Sequence, residues 1–349
     1  MKNLILIAFL WFAQNCFAQQ DTLVWSDEFD GSGLPNSSFW GFDLGDSGWG
    51  NNEIQNYTNL SQNVRQENGN LVIEAIKSGT NWTSARVLTN NKFEFTCGRI
   101  VFRAKLPAGI GTWPALWMLG ANFGTVGWPG CGEIDVMEHV GKDPGVVHSS
   151  LHSLSSFGNT VNTGINYVDA FDSEFHLYEA KWKSDRIEFS IDSVLFYTYM
   201  PSEYNNSTWP FNKPFFLIMN IAMGGDWGSD PQYETGGLKN GIDPSLTSVK
   251  MEVDYVRLYE SVTHPYEVND PSPEAIIIYP NPAKGIIRII LPVGSIADGE
   301  VSDILGNEVF KFHADNDTSN IDLSSLPKGF YNISLKTEGK TITRKIVLQ

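Results

Sequence analysis

Three carboxylates crowd one short run, Gly132-Glu133-Ile134-Asp135-Val136-Met137-Glu138, and the residues between them are apolar and β-prone. A strand turns alternate side chains to one face, so Glu133 and Asp135 look the same way while Ile134 and Val136 look into a core. Glu138 is out of phase. One extra residue bulged out at Val136 or Met137 restores the phase and puts all three acids on one surface. Like charges a few ångströms apart raise one another's pKa, an arrangement that is unfavourable unless it is used. Glycoside hydrolysis uses it, because one carboxyl must stay protonated for the leaving oxygen while another is ionised. In that reading Glu133 is the nucleophile and Glu138 the acid/base. Asp135, between them, hydrogen-bonds Glu133 and biases which carboxyl keeps its proton. A solvated acidic edge strand, or a calcium site built from carboxylates, would carry the same short pattern.

The elements that must position these acids read as β throughout. From about Thr22 to Glu260 short β-rich runs are broken by Gly, Asn, Asp and Pro, which predicts an all-β sandwich. Arg99 to Leu106 alternates polar and apolar residues, as does Ile187 to Ile191, where Asp192-Ser193 predicts a turn into Val194-Leu195-Phe196. Phe215 to Ile221 is almost wholly apolar, the sign of a strand covered on both faces, and Met251 to Tyr259 reads as a closing strand. The chain of 349 residues, 42% of them hydrophobic, is long enough for one to three domains. Its net charge of -16 argues against nucleic acid or an anionic membrane surface as partner, since phosphate binding needs clustered Lys and Arg. Neutral polymers stay open. The 11 Trp supply flat apolar rings that could dock a sugar or fill a core.

Residues 1–18 read as a signal peptide: a lysine near the start, an apolar run from Leu4 to Phe12, and Cys16-Phe17-Ala18 before Gln19. The apolar run is too short for a membrane span, and no later segment is long enough to be one. Cleavage leaves Cys97 and Cys131, which could pair in an exported chain or serve as small buried hydrophobes. Residues 261–274 turn to Pro, Asp, Glu, Ser and Asn, a linker composition, and a second β-rich segment follows over 275–349.

With the acid run placed on a strand of a sandwich, residues 22–260 resemble glycoside hydrolase family 16 of the laminarinase type. The resemblance rests on Trp25-Ser26-Asp27-Glu28-Phe29, Asn52-Glu53-Ile54-Gln55-Asn56-Tyr57-Thr58, Thr83-Ser84-Ala85-Arg86, Gly111-Thr112-Trp113-Pro114-Ala115-Leu116-Trp117-Met118, the acid run itself, Asn220-Ile221-Ala222 with Gly224-Gly225, and Val253-Asp254-Tyr255-Val256-Arg257. It implies a β-jelly-roll of two curved antiparallel sheets with an open cleft, and a retaining endo-hydrolase acting on a β-1,3-glucan by double displacement. Retention requires carboxyls about 5 to 5.5 Å apart. Glu133 and Glu138 stand two pleats apart, roughly 13 Å at Cα, so a bulge must converge them. The longer E-x-D-x-x-E form favours β-1,3-glucan over mixed-linkage glucan; agarases and carrageenases share it, and a glucan-binding lectin on the same scaffold would lack acids that are present here.

The resemblance also implies that Trp113, Trp117 and Trp128 line sugar subsites, that Arg86 binds sugar hydroxyls, and that His152 lies near the scissile sugar. Trp113 and Trp117, an even number of residues apart, share a face of a strand. Asn52 serves either sugar hydroxyls or a turn. His148 and His152 point alike and could alternatively begin a metal site. No cofactor is implied for catalysis, but a structural Ca2+ is, held by Asp254 with main-chain oxygens near Glu28 and Gly69; an aspartate paired with Arg257 or solvent would look the same. The tail from about Ile276 resembles a type IX secretion sorting domain on Tyr279-Pro280-Asn281-Pro282, Asp303-Ile304-Leu305-Gly306, Leu326-Pro327-Lys328-Gly329-Phe330-Tyr331 and Lys345-Ile346-Val347-Leu348. That implies the type IX machinery as partner and a secreted or cell-surface monomer; the other reading of the tail is a carbohydrate-binding module.

Overall fold

Alternating burial builds the fold. The computed structural model describes residues 22–260 and, of the C-terminal segment, residues 277–348 except 280–282, 284, 292–295, 304–305, 315–317 and 338–339. The expected signal peptide (1–18) and linker (261–274) lie outside the described residues. The chain divides into two compact units, residues 1–262 and 263–349. Among the described residues no helix is long and apolar enough to cross a membrane.

The first unit stacks two sheets of mainly antiparallel strands. The sheet that carries the acids runs Thr163–Tyr167, Val146–His152, Glu133–His139, Thr112–Gly120, Phe215–Met223, Arg86–Leu88, Gly41–Asp43, in that spatial order. The backing sheet places Ser248–Glu260 between Gly98–Lys105 and Asn70–Ser78. The strand that closes this unit in sequence is thus central in space. Ile134, Val136, Met137, Leu116, Met118, Val147 and Leu151 from the first sheet pack against Phe102, Ile100, Tyr178, Ile73 and Val253 from the second in one core. Phe215–Met223 is buried at every position. Its second face is covered in part by a smaller cluster of Leu88, Leu119, Cys131, Phe216 and Ile218. The Ile187–Ile191 hairpin turns at Asp192 (φ 49°) and Ser193 (φ 66°), both left-handed, which suits the twist of the strands they join. Cys131 is buried and Cys97 half-buried, and both are free thiols.

The second unit has two small antiparallel sheets, one of three strands from Ile277–Tyr279, Ile286–Ile290 and Thr318–Asp322, the other of four from Glu308–Ala314, Ala297–Ser302, Gly329–Thr337 and Lys340–Leu348. Ile287, Ile289, Val301, Ile333, Leu335 and Ile346 give it its own core.

Candidate active site

The bulge expected from the spacing is present. Across to Thr112–Gly120 the acid strand pairs Glu133 with Leu119 and Asp135 with Trp117, then resumes at Met137 with Leu116 and Glu138 with Ala115. Val136 is the extra residue. Val136 and Met137 are both buried in the core, so Glu138 turns out with Glu133 and Asp135. The same shift separates Asp135–Ser150 from Glu138–His148 on the other side, and Glu133 stands opposite His152. Three rows therefore cross the outward face of the sheet, and the one through Glu138 runs Asp43, Arg86, Asn220, Ala115, Glu138, His148, Ile165.

The electrostatics follow from burial. Loss of solvent, aided by the neighbouring Asp135, pushes the Glu133 and Glu138 carboxyls each up to about 8. Asp135, 3% exposed, is raised well above the usual carboxylate range by burial. His152 Nε2 lies 3.1 Å from Asp135 Oδ2 and 3.6 Å from Glu133 Oε1, and its charge opposes the upward shift of Glu133. Arg86 also pulls Glu133 down, whereas the lowering hydrogen bond on Glu138 comes from Trp113. Trp113 Nε1 donates to Glu138 Oε1 at 3.1 Å. An indole N–H only donates, so Oε1 is the accepting oxygen and the proton of a neutral Glu138 belongs on Oε2.

Each other expected residue has a definite place. Trp113 and Trp117 share the outward face, and the Arg86 guanidinium lies over Trp117 at 4.8 Å and over Trp49 at 5.0 Å, with Nε 3.0 Å from Asp43 Oδ2. Trp128 meets His152 at 5.9 Å and Phe157 edge-on at 5.4 Å. Asn52 takes a left-handed turn conformation (φ 54°) and its amide donates to Asp226 at 3.0 Å. The two histidines of the metal reading stand opposite different acids; the group that does converge is Glu133, Asp135 and His152, within 4.8 Å.

The calcium residues lie on or next to three neighbouring strands of the backing sheet. Asp254 is a bulged residue between Val253 and Tyr255, with Leu71 beside Val253 and Asp27 beside Val256. Asp254 Oδ2 pairs with Arg103 at 2.6 Å rather than with Arg257, which instead clamps both oxygens of Glu28 at 3.0 and 2.7 Å. A bulge frees a main-chain oxygen from the ladder. The Glu28 carboxylate being engaged, the set that suits a hard cation is main-chain oxygens with the other Asp254 oxygen.

Sequence reading gave no role to a chain of hydrogen bonds behind Trp117. Trp117 Nε1 donates to Asn220 Oδ1 at 2.8 Å, Asn220 Nδ2 to Tyr57 Oη at 3.0 Å, and Tyr57 Oη to Glu53 Oε2 at 3.2 Å. The indole can only donate, so each later direction is forced and the chain must end on an acceptor. Glu53, which also receives Gln55 at 2.7 Å and Asn51 at 3.1 Å, is that acceptor. Burial raises its carboxyl while these donors hold it down. The signal was there in part: Glu53, Gln55 and Tyr57 alternate in an Asn-rich stretch, which is a polar set on one face of a strand. Trp227 had no such signal. It stands edge-on to Trp113 at 5.5 Å and to His148 at 4.9 Å, beside the row through Glu138.

A β-sandwich with buried carboxyls whose pKa values are raised, set among tryptophans on one sheet face, has the make-up of a glycoside hydrolase. Residues 51–256 match Glycosyl hydrolases family 16, and the chain belongs to that family. It is 42% identical over 254 residues to a beta-glucanase of Rhodothermus marinus, covering 69% of this chain and 85% of that one. It is 36% identical over 275 residues to a glucan endo-1,3-beta-glucosidase of Cryptopygus antarcticus, covering 72% and 96%. The crystal structure of laminarinase from Flavobacterium sp. UMI-01 superposes with a TM-score of 0.63 at 44% identity, over 68% of this chain and all of that one. Residues 277–349 match a secretion system C-terminal sorting domain, which marks a secreted or cell-surface protein.

Proposed function

We propose that this chain is a laminarinase, a retaining endo-β-1,3-glucanase in which Glu133 attacks the anomeric carbon and Glu138 serves as acid and then base. The observation that carries this is the bulge at Val136, which brings Glu138 onto the face of Glu133 and Asp135. Arg86 favours the ionised form of Glu133 alone, whereas His152 favours it on both glutamates, and Asp135, held protonated by burial, can donate to Glu133. Glu138 Oε2, its partner oxygen tied to Trp113, gives its proton to the glycosidic oxygen as Glu133 forms the ester and the C–O bond breaks. The free chain end departs. Glu138, now ionised, takes a proton from water, whose oxygen attacks the anomeric carbon and releases Glu133. A monomer would supply every group these steps use.

Linkage is tested by reducing-sugar release from laminarin, lichenan, agarose and carrageenan. The expected order puts laminarin first, with lichenan cut more slowly and the two galactans not at all. Preference for lichenan would make the chain a mixed-linkage glucanase, preference for a galactan an agarase or carrageenase, and binding without release a lectin.

Calcium at Asp254 is a second element of this reading, supported by the bulge there, which frees main-chain oxygen beside a carboxylate. It has no part in the chemical steps. Melting in excess EGTA is expected about 5 °C lower than in millimolar calcium, a change of about 1–2 kcal/mol in stability. Identical curves would leave Asp254 as the partner of Arg103 alone.

A further inference from the structure

The row of residues through Glu138 does not stop at the catalytic group. Beyond it come His148, whose ring meets Trp227 at 4.9 Å, and then Ile165 on the edge strand Thr163–Tyr167. The register puts Thr163, Ile165 and Tyr167 on the face that carries the acids. Gly164, between them, points the other way, against Tyr197. Ile165 and Tyr167 are 60% and 64% exposed. An isoleucine and a tyrosine open to water, in line with the row through Glu138, offer apolar surface that the C–H face of a sugar can cover.

The opposite flank is unlike it. There Arg86 is half-buried and paired with Asp43, and Asn220, Tyr57 and Glu53 are buried and joined to one another by hydrogen bonds. Double displacement makes unequal demands on the two ends of a glucan. The glycone stays covalently attached through the first half-reaction and must be gripped, whereas the aglycone must leave before water can enter. Rigid polar contacts suit the first; an exposed apolar shelf, which meets the C–H face of a sugar with little polar commitment, suits the second.

We propose that Ile165 and Tyr167 form an aglycone-binding shelf, reached past His148 and Trp227, that takes the sugars on the leaving side of the cut bond. The proposal rests on the glucanase reading above. The shelf binds the outgoing chain before cleavage and, in the reverse sense, an incoming sugar acceptor at the covalent intermediate.

The test compares two substrates on the full chain and on the variants Ile165→Ser, Tyr167→Ala and the double substitution. Laminarin fills both flanks; 4-methylumbelliferyl β-laminaritrioside has no sugar on its leaving side. The ratio of kcat/KM on laminarin to that on the aryl glycoside is expected to fall roughly tenfold in the double variant, about one stacked sugar's contribution. Transfer to added laminaribiose should fall relative to hydrolysis in the same variants. A ratio unchanged within about twofold overturns the shelf, and so does an equal loss on both substrates, since that places these residues outside the leaving side. Failure of the glucanase reading itself looks different, the unsubstituted chain then turning over neither substrate.

Discussion

Glu133→Gln is expected to lower kcat on laminarin by on the order of 10⁴-fold or more, because no ester can form on an amide and the single-step route past water is not provided for. Affinity for laminari-oligosaccharides, measured by calorimetry, should change little. The same substitution is expected to stabilise the fold. The Glu133 carboxyl stands at about 8 in the folded chain against an ordinary value of 4.5. Between those values the folded state keeps a proton that the unfolded state has released, so wild-type stability declines as pH rises across that window. Glutamine removes the dependence. The gain at pH 7 should be on the order of 2 kcal/mol, less than the full shift implies because Glu133 keeps some contact with water. Thermal melts at pH 5 and pH 8 check it. A variant no more stable than wild type at pH 8 would show that burial of this carboxylate carries no strain; retained turnover would remove Glu133 from the chemistry.

Glu138→Gln is expected to have the next largest effect and a different pattern. On laminarin, whose leaving group is an alkoxide unless protonated, kcat should fall about 10³–10⁴-fold. On a 2,4-dinitrophenyl glycoside, whose leaving group departs as a stable anion, glycosylation should fall less than about tenfold. The intermediate then lacks its base, so added azide should restore turnover and yield a β-glycosyl azide. The pH profile carries a second mark. The alkaline limb of kcat/KM, falling near the value of about 8 at which the Glu138 carboxyl gives up its proton, should vanish in the variant. Equal losses on both substrates, or a surviving alkaline limb, would assign the proton to another group.

The acids were legible in the sequence because strand periodicity is local. Glu133 and Asp135 differ by two, Glu138 breaks the phase, and one bulge repairs it. Trp113 and Trp117 shared a face for the same reason. What that period could not supply was partners across strands. Asn220 and Tyr57 lie 163 residues apart in sequence and Asn52 and Asp226 lie 174 apart, and nothing near either residue specifies the other. Asp254 went to Arg103, a residue of the neighbouring strand, and not to Arg257 in its own motif.

The sequence by itself determined the two-unit β architecture, the carboxylate trio and the bulge that aligns it, since each follows from side-chain alternation over a few residues. Only the tertiary structure decided strand order: the last strand of the first unit in sequence sits mid-sheet, and Thr163–Tyr167 at an edge. It also decided the Trp117–Asn220–Tyr57–Glu53 chain, the Trp113 bond to Glu138 and the exposed Ile165 and Tyr167. The physical reason is that backbone alternation says which face a residue takes, whereas what it meets on that face depends on which strands lie alongside, and that is settled by burying two whole sheets at once.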